Sequence, residues 1–383
     1  MGNYICVKRN ALHTRIYLFF LLSLGGMTYL QAQPETTDTT RHQLAVSVYV
    51  DAYYALYSGD TREPFAAYIT SGARDNTIGL NIAQFSLHYE HERLRGNFTL
   101  HAGDIPLAIW SDAFPYVQEA NVGVRLGEKW WFDAGFFRTH LGTESFLPKN
   151  NLLGSTAFAT YNEPFYQSGA RLSYDPSDNW HLEAWLLNGY NSLVDNNRAK
   201  SVGLLVNYSP TEATSLTYTN LYGNEAPDNA LRDQYRFYQN ASWQQQWSDH
   251  VTTILGADLG LQTNSDLEDP EKTAALYTLL LTVRYQIDER WSITTRGELF
   301  EDESGFISGR VPTKDGEPAG AELTAITLGG EYRPSRYAHL RAEGRYTGHP
   351  NELALFRDGR EITGNRWELL LTFGIDLDRA FNF

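Results

Sequence analysis

Seven arginines and eight carboxylates fall in the polar register of alternating segments, and charge in that position suits the steering of polar solutes through water. The arginines are Arg125, Arg171, Arg236, Arg284, Arg296, Arg341 and Arg345; the acids are Asp51, Asp133, Glu183, Asp258, Glu298, Glu343, Glu368 and Asp376. Opposed rows of the two signs would set a transverse field across a lumen and so fix ion preference. The alternative is that neighbours pair and merely satisfy a polar wall. A second group, Glu144, Asn150, Asn151, Asn162 and Glu163, lies in the longest polar segment, 141–164. We expect this segment to fold inward and, with Arg125 and Arg171 facing it, to narrow the lumen. The competing reading is that Asn162, Glu163 and Pro164 only begin a strand, since proline is tolerated as a strand's first residue.

Other chemistries find little support. Nine histidines follow residue 32, at 42, 88, 91, 101, 140, 181, 250, 339 and 349, with no HExxH pair, no Cys/His cluster and no nucleophile elbow. His88 and His91 stand beside a turn and read as structural. The acidic run Asp266-Leu267-Glu268-Asp269 lacks EF-hand spacing and reads as solvated surface charge. No metal and no cofactor is expected, and the chain reads as a non-enzyme. Triads assemble through space, so an outer-membrane hydrolase stays as a third reading.

The elements that must hold these charges are strands. Val122, Val124 and Leu126 alternate with polar or small residues, as do Leu182, Ala184 and Leu186, then Val202, Leu204 and Val206, then Val251, Leu255, Ala257, Leu259 and Leu261, then Trp367, Leu369, Leu371, Phe373 and Ile375. Segments of about 10–12 residues match a tilted membrane-crossing strand and exceed the usual soluble one of about 5–6. Tight polar turns at 90–94, 127–129, 175–179, 209–213, 247–249, 288–290 and 334–336 alternate with longer polar segments near 58–74, 104–117, 141–164, 189–199, 223–232, 263–272, 301–321 and 347–364. That rhythm predicts an all-β protein: a closed antiparallel transmembrane barrel of about 16 strands, with short periplasmic turns and longer extracellular loops. Trp130, Trp131, Trp180, Trp247, Trp291 and Tyr337 stand beside the short turns, where an aromatic girdle meets the bilayer interface.

Composition narrows the class further. The chain has 383 residues, 31 Lys+Arg against 46 Asp+Glu, a net charge of −15, 14% aromatics and one cysteine. An acidic balance without a basic run argues against a nucleic-acid partner, and the low mean hydropathy argues against a bundle of membrane helices. Lys8, Arg9 and Arg15 precede an apolar stretch at 16–30 and a polar one from Gln31, which reads as a signal peptide over 1–32. Its removal would take Cys6 away and shift the charge to −18. A short polar segment, 33–42, and the barrel, 43–383, complete the expected organisation. The acidic excess lies in the outer loops: segments 223–232, 263–272, 301–321 and 347–364 carry 14 acids against 6 bases.

Several motifs together resemble a known family. Gly142-Thr143-Glu144-Ser145, the run NEPFYQSGARLSY over 162–174, the Trp180 strand ending in Asn188-Gly189-Tyr190, and Lys200-Ser201-Val202-Gly203 after Asn196-Asn197 are similar to the core of the OmpL-like β-barrel porins of porin-2 type. Val50-Asp51-Ala52-Tyr53-Tyr54 and the strand containing Gly135 look similar too. Many members carry Trp where Tyr190 stands here. The resemblance implies a Gram-negative outer-membrane porin. The expected function is passive diffusion of small hydrophilic solutes or ions through a water-filled lumen; the alternative is a non-conducting barrel serving as envelope anchor or adhesin. Expected partners are membrane lipid and lipopolysaccharide, the barrel-assembly machinery that reads a terminal aromatic such as Phe383, and the solutes; a homotrimer is one assembly open to it.

Overall fold

A strand crossing a bilayer must pair every backbone N–H and C=O within the protein, which leaves an antiparallel sheet no edge to expose. The computed structural model, which describes residues 42–59, 64–195, 197–350, 353–358 and 361–383, meets that demand with a closed barrel of 16 strands. The signal peptide expected over 1–32, and the polar segment after it up to residue 41, lie outside the described residues.

The strands are β1 Gln43–Tyr57, β2 Thr77–Glu90, β3 Leu94–Ala102, β4 Val117–Gly127, β5 Trp130–Arg138, β6 Tyr166–Ser177, β7 Trp180–Leu187, β8 Ser201–Thr211, β9 Thr214–Asn224, β10 Tyr235–Gln246, β11 Val251–Gln262, β12 Ala274–Gln286, β13 Trp291–Asp302, β14 Ala321–Ser335, β15 Ala338–Gly348 and β16 Asn365–Asn382. Each pairs with its chain neighbours, and β1 closes on β16 from Gln43 opposite Asn382 to Tyr57 opposite Glu368. Backbone bonds of 3.0 Å between His42 and Phe383 seal the seam. Seven short turns gather at one end and eight longer loops at the other, as the connection lengths predict.

The two faces sort as alternation requires. Val122, Ile326 and Leu328 point outward and are 60–70% exposed, which in a bilayer means contact with lipid. At the short-turn end aromatic pairs form a belt: Trp130 on Tyr174 (ring centroids 4.0 Å apart), Trp180 on Tyr208 (4.3 Å), Trp291 against Tyr332 (4.6 Å) and Trp247 against Trp243 (5.7 Å). Tyr337 sits in the last turn under the Arg336 guanidinium. Trp131 departs from the girdle expectation. It follows Trp130 directly, so the pleat turns it to the other face, where it is buried between Arg95 and Arg125.

The lumen holds protein. Loop residues 64–76, 103–116 and 139–165 fold into it with two short helices, α1 Asp104–Ile109 and α2 Phe158–Asn162. Their apolar side chains make two interior clusters. In one, Leu141 and Phe158 of the longest loop meet Trp185, Leu221, Tyr238, Leu276, Phe300 and Leu323 of the wall. In the other, Ile105, Trp110, Phe146 and Leu147 meet Tyr49, Ile82 and Tyr166.

Candidate functional site

The longest loop crosses the lumen and ends on the wall formed by β13–β16. Alternation stacks Arg296, Glu298, Glu331, Arg341, Glu343, Arg345, Arg366 and Glu368 on the inner face of these four strands, one turn of the pleat apart. Arg296 is fully buried. Its guanidinium donates to Glu144 of the loop at 3.0 Å, to Glu298 at 2.9 Å and to the Ser155 carbonyl at 2.8 Å. Arg341 binds Glu331 at 2.7 Å and the loop carbonyls of Pro148 (2.8 Å) and Asn151 (3.1 Å). Arg345 pairs with Glu298 at 3.0 Å and lies 4.0 Å over the Phe158 ring. In the opposite sense, Glu343 accepts from the Ser155 amide (3.0 Å) and hydroxyl (2.7 Å) and from the Gly154 amide, while Glu298 accepts from the Phe158 amide at 2.8 Å. Lys149 reaches Asp376 at 2.9 Å. Wall guanidiniums therefore meet loop carbonyls, and wall carboxylates meet loop amides, donor to acceptor in each contact.

The remaining expected site residues occupy two other sectors. On β3–β7, Asp133 is fully buried between Arg95 and Arg171 (3.2 Å), and Arg171 continues to Glu183 at 3.0 Å. Arg125 lies near the periplasmic end, 4.7 Å over Trp131. Arg125 lies close to the short turns, away from the loop it was expected to face, whereas Arg171, tied to Asp133 and Glu183 in its own wall, stands over Trp185, on which His140 of the loop stacks. Arg284 joins Glu331 at 2.5 Å. The third sector is the foot of the loop. Asn162 donates to the Phe158 carbonyl at 2.9 Å and closes α2. Glu163 then sets its carboxyl beside that of Asp258 on β11, which accepts from Asn240 at 2.7 Å and from the Thr278 hydroxyl. Arg236, on β10, binds Gln262 at 2.7 Å and covers the Tyr190 ring at 4.4 Å. Most inward charges form pairs along the wall, while Arg125, Arg236 and Asp258 are held by aromatic or neutral polar neighbours, so few charges stand free to set a transverse field.

Burial pushes the Glu144 carboxyl above its usual range, although Arg296 opposes the shift. Burial, with Asp258 next to it, pushes Glu163 well above. His140, buried against Trp185, is held down at about 4 by the loss of water. Arg95, Glu331, Arg366 and Ser155 complete these networks and were absent from the expected set. For the first three the same period-2 register would have sufficed: Arg95 shares a face with Asn97 and Thr99, Glu331 with Thr327, and Arg366 with Glu368.

At the level of the loop the interior is packed. Each of the 16 strands presents at least one inward residue that is buried, from Asp51 on β1 through Asp133, Thr219, Asn240 and Thr327 to Thr372 on β16. A cavity at the loop's edge, lined by Ser155, Thr156, Glu343, Arg345 and Glu368, has about 10 Å³ of interior space, about what a single water needs.

Comparison with known proteins places this geometry. The profile of the family described as "Putative beta-barrel porin-2, OmpL-like" matches residues 43–377. No curated protein matches the chain. Among solved structures, the anion-selective porin from Comamonas acidovorans aligns over 88% of this chain and 100% of its own at 9% identity, with a TM-score of 0.58. The outer membrane channel DcaP of Acinetobacter baumannii covers 90% and 100% at 12% identity, TM-score 0.56. The trimer form of OmpT from Vibrio cholerae covers 88% and 100% at 10% identity, TM-score 0.51. At such identities the likeness concerns the barrel fold alone.

Proposed function

The chain belongs to the OmpL-like β-barrel porin-2 family of outer-membrane proteins, and from that premise we propose that it passes small hydrophilic solutes or ions by passive diffusion, with loop 139–165 as the element that limits flow. The observation that carries this reading is the chemistry of the loop's dock. A permanent core would be sealed by apolar side chains. Here the central stretch of the loop is held by hydrogen bonds and ion pairs to Arg296, Arg341, Glu343 and Arg345. Water and hydrated ions can replace such contacts at small net cost, so the polar lumen surface supports a path that opens when the stretch lifts. Glu144, Arg296, Glu298, Arg341, Glu343 and Arg345 then line that path, and the Asp133–Arg171–Glu183 sector forms its other bank. The family supports a channel over an enzyme. The trimeric OmpT neighbour supports a homotrimer as the assembled form.

Planar-bilayer recording on the purified barrel tests the proposal. Deleting 145–159 is expected to raise single-channel conductance; unchanged conductance overturns the role of the loop. A second reading is supported by the packed interior at the level of the loop: a non-conducting barrel acting as envelope anchor or adhesin. Silence of both the wild type and the deletion would favour that one.

A further inference from the structure

Between its aromatic levels the outer face of a membrane barrel meets hydrocarbon, yet β9 and β10 set three polar side chains there. Tyr218 and Asn220 on β9 and Gln239 on β10 alternate with the inward Thr219, Tyr238 and Asn240. Asn220 and Gln239 are register partners, with Leu204 on one side of the pair and Leu259 on the other. On β10, Gln239 stands midway between Trp243 of the short-turn belt and Tyr235, which stacks on Tyr222 (ring centroids 5.9 Å apart) toward the outer end. About 13 Å of strand separates it from each. The three side chains bond to one another: the Tyr218 hydroxyl donates to Gln239 Oε1 at 2.9 Å and accepts from Asn220 Nδ2 at 3.2 Å. Asn220 also serves its own barrel. Its Oδ1 accepts from the Leu204 amide at 3.2 Å, and its carbonyl accepts from His140 of the loop at 2.9 Å. Gln239 has no such second duty. Whichever way its amide is turned, one end meets Tyr218 and the other has no partner among the described residues, and hydrocarbon supplies none.

We propose that the outer face of β9 and β10 is where copies of this chain meet, with the Gln239 amides gathered at the symmetry axis and each donating to the next. What covers the amide is protein, because water and lipid headgroups do not reach the middle of the hydrocarbon band. A second copy of the chain fits without any further part. An amide is donor and acceptor at once, so a ring of identical amides satisfies itself, and amide hydrogen bonds are among the contacts that join membrane segments. The surface beside Gln239 lets the copies come close. Ala241 and Ala257, register partners on the same face, are small and exposed, and small residues are what permit close approach within a membrane. At the rim the indoles of Trp243 and Trp247 are bulky, so the copies part there and Trp247 keeps its contact with lipid.

This inference rests on the homotrimer proposed above and does not require conduction. The test is disulfide trapping in the membrane, in a Cys6→Ser background that removes the chain's one cysteine. On oxidation with copper phenanthroline, Gln239→Cys is expected to give a linked pair on a non-reducing gel. Linkage should level off at about two thirds of the chains, because three cysteines at one axis leave one unpaired. Val48→Cys, exposed on the outer face of β1 across the barrel, should stay single. The second arm is the mass of Gln239→Leu in detergent, with heat-modifiable gel mobility as the check on folding. Its assembly midpoint should move to a protein concentration on the order of tenfold higher than that of the wild type. A trimer in which Gln239→Cys links no more than Val48→Cys overturns the face and leaves the homotrimer standing. So does a Gln239→Leu chain that assembles as the wild type does. A monomeric wild type overturns the face and the homotrimer together, and neither result bears on conductance.

Discussion

Replacing Arg296 by methionine removes the guanidinium that joins Glu144 and Ser155 of the loop to Glu298 of the wall while keeping most of the side chain's volume. Glu298 retains Arg345 at 3.0 Å and the Phe158 amide at 2.8 Å. Glu144 retains only the Ala157 amide at 2.8 Å, so its charge is left buried. Breaking such a pair from one side costs about 3–5 kcal/mol. The carboxyl can escape by protonation, which from its ordinary value of 4.5 costs about 3 kcal/mol at pH 7. Loss of the bond to the Ser155 carbonyl adds about 1 kcal/mol. With the loop lifted, water hydrates Glu144, so nearly the whole penalty falls on the closed state. At about 1.4 kcal/mol per factor of ten, open probability should rise by roughly two to three orders of magnitude. Single-channel recording measures that rise directly. Two controls bind the result to the mechanism. In the Arg296→Met background, Glu144→Gln should restore most of the closed population. At pH 5 protonation of Glu144 costs only about 0.7 kcal/mol, so the excess opening should shrink by roughly a hundredfold. An Arg296→Met barrel with wild-type open probability, or one whose opening ignores both Glu144→Gln and pH, refutes the reasoning.

His140 is held at about 4 by burial, below its unfolded value of about 6.5. The unfolded chain binds the proton first, so this residue contributes stability that is complete above pH 6.5 and lost as pH falls toward 4. Between pH 7 and 5 the loss is about 2 kcal/mol. The thermal midpoint of the heat-modifiable form should therefore fall less on acidification in His140→Asn than in the wild type, and equal slopes would exclude the assignment. In single-tryptophan variants reconstituted with brominated lipid, Trp130, Trp180, Trp247 and Trp291 should be quenched, and Trp131 and Trp185, which face the lumen, should not. Quenching of Trp131 would show the β5 register to be inverted.

The barrel was legible because bilayer physics leaves few alternatives. Once Trp367, Leu369, Leu371 and Phe373 are assigned to lipid, the pleat sends Arg366, Glu368, Leu370 and Thr372 inward without further information. Loop length separated the two ends of the barrel on its own. The tryptophan doublet was misread because nearness to a turn was weighed before side-chain parity. The contacts of the loop could not be read at all. Glu144 and Arg296 are 152 positions apart, and their meeting depends on how a long segment with little repetitive structure crosses the lumen. The sequence did hold one unused sign of a filled interior. Toward the outer end, Leu276, Phe300, Ala321 and Leu323 occupy inward positions that a water-filled pore would give to polar residues.

Those apolar positions also decide which part of the loop can move. Leu141, Phe146, Leu147, Leu153 and Phe158 are all buried, and exposing such side chains costs about 1.5–3 kcal/mol each. Withdrawing the whole loop would thus cost on the order of 10 kcal/mol, a population too small to conduct at the rates of a porin. The stretch 148–156 is different. It contains Pro148, Lys149, Asn150, Asn151, Gly154, Ser155 and Thr156, and Leu153 is its one fully buried large apolar side chain. Its contacts with Arg341, Glu343, Arg345 and Arg296 include hydrogen bonds of 2.7–3.4 Å that water can replace. Flow then requires only that this polar span peel from the β13–β15 wall, while Leu141, Phe146 and Leu147 on one side and Phe158 on the other stay anchored in the two apolar clusters. Arg296 sits at the boundary, holding Glu144 near one anchor and Ser155 in the span, which is why its removal should act on opening more strongly than the loss of any other single wall contact.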